Sequence, residues 1–135
     1  MKRTFFLLMA LAAVIAAEAQ SQYKGTYFNK DLYIRAKLNL EAKDIPVPGL
    51  ELDSCYGYLQ GSINGSWMIM KVKSVDEKKA VVRAVSERGA DAQDLEIQLT
   101  EDGISLKQIN GTYIKGVAKN KYVKLPKPFM LPREQ

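Results

Sequence analysis

From Tyr33 to Glu41 the chain reads YIRAKLNLE, with an apolar side chain at every second position. Ile34, Ala36, Leu38 and Leu40 fall on one face, and Arg35, Lys37, Asn39 and Glu41 on the other. A helix would scatter those apolar groups around its circumference. A strand gathers them, because successive side chains of a strand point to opposite sides of a sheet. This period of two predicts a half-buried strand with a wet outer face, and it recurs along the chain between turn signals.

Tyr23 to Phe28 forms an earlier β-prone run, ended by Asn29-Lys30-Asp31. The stretch Cys55 to Lys73, CYGYLQGSINGSWMIMKVK, places two apolar, aromatic-rich runs on either side of Asn64-Gly65. That dipeptide predicts a type I′ hairpin, which requires positive φ at both central residues. Around Trp67-Met68-Ile69-Met70 both faces of the strand are apolar, so something is expected to cover its outer side. Further strands are predicted over Lys78 to Ser86, Leu95 to Thr100, Ile104 to Ile109, Thr112 to Ala118 and Tyr122 to Leu125. Asp102-Gly103 and Asn110-Gly111 provide turns between them, and Glu87 to Gln93 is a polar linker with room for one helical turn. Lys43 to Ser54 breaks the pattern with Pro46 and Pro48, which cannot both serve a central strand. It reads either as a functional loop or as a crossover between sheet regions.

Eight or nine short strands joined mostly by tight turns predict an all-β fold: a single antiparallel barrel of about eight short strands. A two-sheet β-sandwich is the alternative. A barrel is preferred because sequential hairpins dominate and closure removes exposed edges. The predicted organisation is a signal peptide over 1–19, an all-β domain over 20–125 and an extended, proline-containing tail over 126–135.

The leader assignment rests on Lys2 and Arg3 before the uncharged run Phe5 to Ala17, with Ala17-Glu18-Ala19 as a small-x-small cleavage pattern. An uncleaved N-terminal anchor is the alternative, but the run is 13 residues, whereas spanning a bilayer takes about 20. Cleavage near Ala19/Gln20 would release a periplasmic or extracellular protein. From Gln20 on, 18 basic and 14 acidic side chains give a net charge of +4, read as dispersed and without a like-charged block. Cys55 is the one cysteine, so no internal disulfide can form. It reads as a small buried hydrophobe, with intermolecular pairing as the alternative.

The chain contains no histidine. This removes the commonest general base and metal ligand, together with every Ser-His and Cys-His nucleophile arrangement. No glycine-rich phosphate loop occurs after the leader. Paired carboxylates remain available for glycosidase chemistry, but most acids sit in turns or on outward-facing positions. No catalytic residue, metal or cofactor is expected. Asn64-Gly65-Ser66 and Asn110-Gly111-Thr112 match the glycosylation acceptor pattern, and the predicted turns account for both.

The binding candidates are Tyr56, Tyr58, Trp67, Met68, Ile69 and Met70, which could line an apolar pocket inside the barrel or simply form its core. The densest basic cluster is Lys115, Lys119, Lys121, Lys124 and Lys127, interleaved with Tyr113 and Tyr122. Such a pattern can bind single-stranded nucleic acid, or can guard strand edges. For an exported protein, an anionic polysaccharide or lipid headgroup is the better-matched counter-charge, and no nucleic-acid partner is expected.

Gly25-Thr26-Tyr27 at the opening of the first strand, the meander of about eight strands, and Arg133 near the C-terminus resemble the lipocalin-like (calycin) group of secreted barrels. That group has a tryptophan where this sequence has Tyr27. It also carries a helix on the barrel, against which Pro126, Pro128 and Pro132 argue. The resemblance implies non-catalytic binding of a small apolar ligand at the open end of the barrel.

Two expectations follow. The first is a small-molecule binding barrel for an apolar or amphiphilic ligand, with Ile45 to Leu50 covering its mouth. The second is a protein-interaction module that meets another secreted protein, as an inhibitor or accessory subunit. An enzyme using a carboxylate pair is the weakest reading.

Overall fold

The computed structural model describes residues 21–49 and 54–134. The predicted leader over 1–19 lies outside the described residues. The chain runs as an antiparallel meander: β1 (Gly25–Asn29), β2 (Ile34–Leu38), β3 (Gly57–Gly61), β4 (Trp67–Val75), β5 (Lys79–Ser86), β6 (Ala92–Leu99) and β7 (Gly103–Gly111). Each strand pairs with the one before it. β8 (Lys115–Ala118) and β9 (Lys121–Lys124) then form a separate two-stranded sheet. β10 (Phe129–Pro132), from the predicted tail, returns to pair antiparallel with β7. β10 also reaches β1, through a Tyr27–Arg133 bridge and the Glu134 N–H donating to the Thr26 carbonyl at 2.8 Å. The result is a nearly closed eight-stranded barrel, not a sandwich.

The alternation read from the sequence sets which side chains enter it. In β2, Ile34, Ala36 and Leu38 are buried while Arg35 and Lys37 are exposed. In β5, Ala80, Val82 and Ala84 are fully buried and Val81, Arg83 and Val85 are half-covered. Trp67, Tyr23, Tyr27 and Phe129 are the largest interior groups, packed with Leu59, Ile69, Leu95, Ile97 and Ile104. Eight strands enclose a space that side chains of this size can fill. The two interior phenols have partners: Tyr27 Oη–H donates to the Tyr23 carbonyl at 2.8 Å, and Tyr23 Oη–H to the Asp76 carbonyl at 3.2 Å. Burial pushes both phenols above the ordinary tyrosine pKa.

A second apolar cluster lies on the outside of the barrel. Tyr58 and Met68 are cross-strand partners on the outer face of β3 and β4. Ile45 and Val47 of the proline loop cover them, with Cys55 below and Met70 at the margin. Ile45 pairs with Cys55 through two backbone hydrogen bonds of 2.8 and 3.0 Å, and Gln60 Nε2 donates to the Pro48 carbonyl at 3.0 Å. The loop is therefore the cover expected over the outer side of the Trp67 strand. The described part of Ile45 to Leu50 lies on this outer sheet face and not over a barrel mouth; Leu50 itself lies outside the described residues. Cys55 is fully buried, its thiol 3.0 Å from the Gly57 carbonyl and 3.3 Å from the Ile45 carbonyl. Burial raises its pKa, so the thiolate is disfavoured.

Three turn expectations change. Asn64-Gly65 is not a two-residue hairpin turn. β3 and β4 part after the Leu59–Trp67 pair, and Ile63 leaves the pair to bridge Gly116 of β8. Gly65 has φ +96, while Asn64 is not among the residues with positive φ, so a type I′ turn is excluded. Asn110-Gly111 does not turn either: both residues continue β7, opposite Asp94 and Gln93, after a bulge at Ile109. The two-residue turn with positive φ at both positions is Lys119-Asn120 (φ 51 and 63), joining β8 to β9. Glu87 to Asp91 is a tight connection between β5 and β6 without helix.

Outside the barrel, Asp94 ties three strands together. Arg83 Nε donates to its Oδ1 at 2.9 Å and Lys73 Nζ to its Oδ2 at 2.7 Å. A register shift between Val72 and Ser74 falls at Lys73. Hydrogen bonding from Arg83, reinforced by Lys73, holds the Asp94 carboxyl at a pKa of about 2. Its folded value is depressed, so the stabilisation is complete above the unfolded pKa of about 3.9 and is lost as pH falls towards about 2. Both cations are partly solvated (side-chain exposure 31 and 43%), so screening reduces the effect to about 1 kcal/mol. Urea unfolding of the protein and of Asp94→Asn between pH 6 and pH 2 should show a shallower acid loss in the variant. Parallel pH profiles would refute the assignment.

Candidate ligand groove beside the β8–β9 hairpin

The six sequence-predicted binding residues do not share one cavity. Trp67 and Ile69 are fully buried in the barrel interior, and Tyr56 packs against that core from its margin. Tyr58 and Met68 belong to the outer cluster under the proline loop, with Met70 beside them. The strand period separates them, since neighbours along β4 point to opposite faces.

The structure instead opens a cavity of about 430 Å³ where the β8–β9 hairpin leaves the barrel. Its position follows from two glutamines. Gln93 on β6 and Gln108 on β7 are 1% and 7% exposed, and such burial requires hydrogen-bond partners. Gln93 Nε2 donates to Gln108 Oε1 at 3.2 Å, and its own Oε1 accepts from the Asn110 N–H at 2.9 Å. Gln108 then holds Ile114 from both sides: its Nε2 donates to the Ile114 carbonyl at 3.0 Å, and its Oε1 accepts the Ile114 N–H. Ile114 is thereby buried, and the hairpin starts from a fixed point.

Asn64 fixes the other side. Its Oδ1 accepts from the Lys115 N–H at 3.0 Å and from Trp67 Nε1–H at 3.3 Å, and its N–H donates to the Lys115 carbonyl at 3.0 Å. Val117 N–H donates to the Ser62 carbonyl at 2.8 Å. Asn64, expected as a turn residue, is the clamp that joins the hairpin to the β3–β4 loop.

Beyond these anchors the hairpin stands in solvent, and every residue of β9 is exposed. The groove is lined by Tyr113, Ile114, Tyr122, Val123, Leu125 and Pro126, with Lys115, Lys124 and Lys127 also on its wall. Tyr113, Tyr122 and Val123 are 57, 67 and 44% exposed, an unusual concentration of large apolar groups on one small element. Lys115 Nζ sits 5.7 Å from the Tyr122 ring centroid, within cation–π range. On the far side of Tyr122 a second cleft, of about 420 Å³, is polar: Asn64, Ser86, Glu87, Arg88, Asp91 and Lys121 border it, with Trp67 at its floor.

The charges are less dispersed than the chain total suggests. From Gly103 to Arg133 there are six lysines, one arginine and no acid. The remainder of the chain after the leader is net acidic, with 11 basic and 14 acidic groups. Among the described residues, the salt bridges involve Arg35, Lys73, Lys79 and Arg83, and none of the hairpin lysines. That acid-free span, and the Lys119-Asn120 turn inside it, were the sequence signals for this site. Comparison with protein-family profiles, curated proteins and solved structures finds no match for the chain.

Proposed function

We propose that this is an exported, non-catalytic binding protein that uses its barrel as a rigid scaffold and holds a small apolar or amphiphilic ligand in the hairpin groove. The observation that carries this reading is the groove itself. It is mostly apolar, lies within the ~300–1,000 Å³ range of small-molecule sites, and is fixed by a buried polar network. The absence of histidine argues for binding over catalysis, and the leader-like first 19 residues support export. A lipocalin-like relationship is supported by the closure of the barrel: the Arg133 guanidinium lies 5.0 Å over the Tyr27 ring, and its nitrogens donate to the Lys24 and Gln22 carbonyls. The ligand position differs from what that relationship implies, because the interior is occupied by Trp67, Tyr23, Tyr27 and Phe129.

The test is native mass spectrometry of the protein purified without detergent from its exporting host. The expected result is a chain beginning at Gln20 with adduct mass that survives gentle ionisation and disappears on denaturation. Val123→Asp, on an exposed position, should remove the adduct without unfolding the barrel. An adduct retained by Val123→Asp would place the ligand elsewhere. A bare mass would shift the reading to a protein-interaction module, for which the free edge of β9 is the structural argument.

A further inference from the structure

Resting on that reading of the groove, we infer that its ligand is a single-chain amphiphile with an acidic head, a carboxylate or a phosphate monoester. Two features of the same site carry the assignment. The first is the division of its wall: Val123, Leu125, Pro126 and the Tyr113 ring offer a surface suited to a hydrocarbon chain. Lys115, Lys124 and Lys127 also line the groove, and none has a carboxylate partner among the described residues.

The second feature is the surrounding field. The groove lies within the span Gly103 to Arg133, which carries seven cations and no acid. Lys119 at the hairpin turn and Lys121 beside it belong to the same acid-free span. Like charges gathered this way repel one another and raise the local concentration of anions. A neutral apolar ligand would gain nothing from them, and a cationic amphiphile would be repelled. A long anionic polymer would satisfy the lysines but leave Tyr113 and Val123 uncovered, and their burial is the larger gain, at ~25 cal/mol per Å². One molecule with an apolar chain and an anionic head uses both. Lysine suits this role as a point charge for carboxylate or phosphate, without the bidentate geometry that an arginine would impose.

The experiment is isothermal titration calorimetry of delipidated protein with four ligands that share a dodecyl chain, each below its micellar concentration. These are dodecanoate, dodecyl phosphate, dodecyl maltoside and dodecyltrimethylammonium. The two anions should bind at least tenfold more tightly than the maltoside, and the cation should not bind. Raising ionic strength from 0.01 to 0.15 M should weaken only the anions, as the screening length falls from ~30 to ~8 Å. Replacing Lys115, Lys124 and Lys127 together by glutamine should cost the anions about tenfold, three exposed pairs at a few tenths of a kcal/mol each, and leave the maltoside unchanged. The tighter of the two anions identifies the head group. Equal binding of anions and maltoside, or an anion preference that survives the triple variant, overturns the acidic head while leaving the groove assignment standing. Failure of all four ligands overturns both.

Discussion

Replacing Phe129 and Leu131 together by alanine should leave the protein largely unfolded at room temperature. Both side chains are essentially inaccessible, at 1 and 0% exposure. They are the inward-facing residues of β10, which contacts β7 on one side and closes the barrel against β1 on the other. Truncating a buried phenylalanine costs about 3–5 kcal/mol and a buried leucine about 2–5. Their sum rivals the whole stability of an ordinary domain, about 5–15 kcal/mol. The loss is compounded because Arg133 directly follows β10, and its hydrogen bonds pin the chain ahead of β1 at Gln22 and Lys24. Met130, between the two, points outward and is 46% exposed; Met130→Ala should change stability by no more than about 0.5 kcal/mol. Urea titrations followed by circular dichroism separate the cases. A double variant that unfolds within 1 kcal/mol of the parent would mean that β10 is an ornament on the barrel and not its closing strand.

That closing strand shows where the sequence is readable and where it is not. β2 and β5 announce themselves, because one face of each is buried and the other wet, and the period of two survives into their composition. Even the covered outer side of β4 could be inferred, since Met68 and Met70 are apolar where a solvated face would be polar. β10 obeys the same rule, with Phe129 and Leu131 inward and Met130 outward, but Pro126, Pro128 and Pro132 conceal it. Prolines fit there because the strand is short and Pro132 sits at its end. Asn-Gly misled for a related reason. The dipeptide favours a tight turn locally, but Asn64 gains two hydrogen bonds to Lys115 by reaching the hairpin, and Asn110-Gly111 extends β7 through a bulge. The binding candidates were drawn from the right residue types on β3 and β4, yet the period of two sends them to opposite faces. The groove depends on a contact between Gln108 and Ile114 that no local pattern encodes.

That contact yields the second large prediction. Gln108→Met keeps the length of the side chain and removes its polarity. It strands the Ile114 N–H and carbonyl and deprives the Gln93 amide of its acceptor, all at sites now satisfied. Among the described residues no buried side-chain nitrogen or oxygen lacks a partner, so the stranded Gln93 amide would be the first such side-chain defect. Each unpaired buried group costs about 1–3 kcal/mol, which puts the total for the three at about 3–9 kcal/mol if the structure stays closed. The hairpin has a cheaper route: Ile114 can lift from Gln108 into water while the barrel, whose pairing passes from β6 through β7 to β10, remains intact. Hydrogen exchange should then quicken at least tenfold, a shift of about 1.4 kcal/mol, over residues 114–124, with β5 and the inner part of β6 nearly unchanged. The groove would disperse along with its apolar wall, and ligand binding would be lost although no ligand-facing residue had been altered. Uniform acceleration across all strands would instead make the glutamine pair part of the barrel's own stability. Unchanged exchange at 114–124 would show that Asn64 and the Val117–Ser62 hydrogen bond hold the hairpin without it.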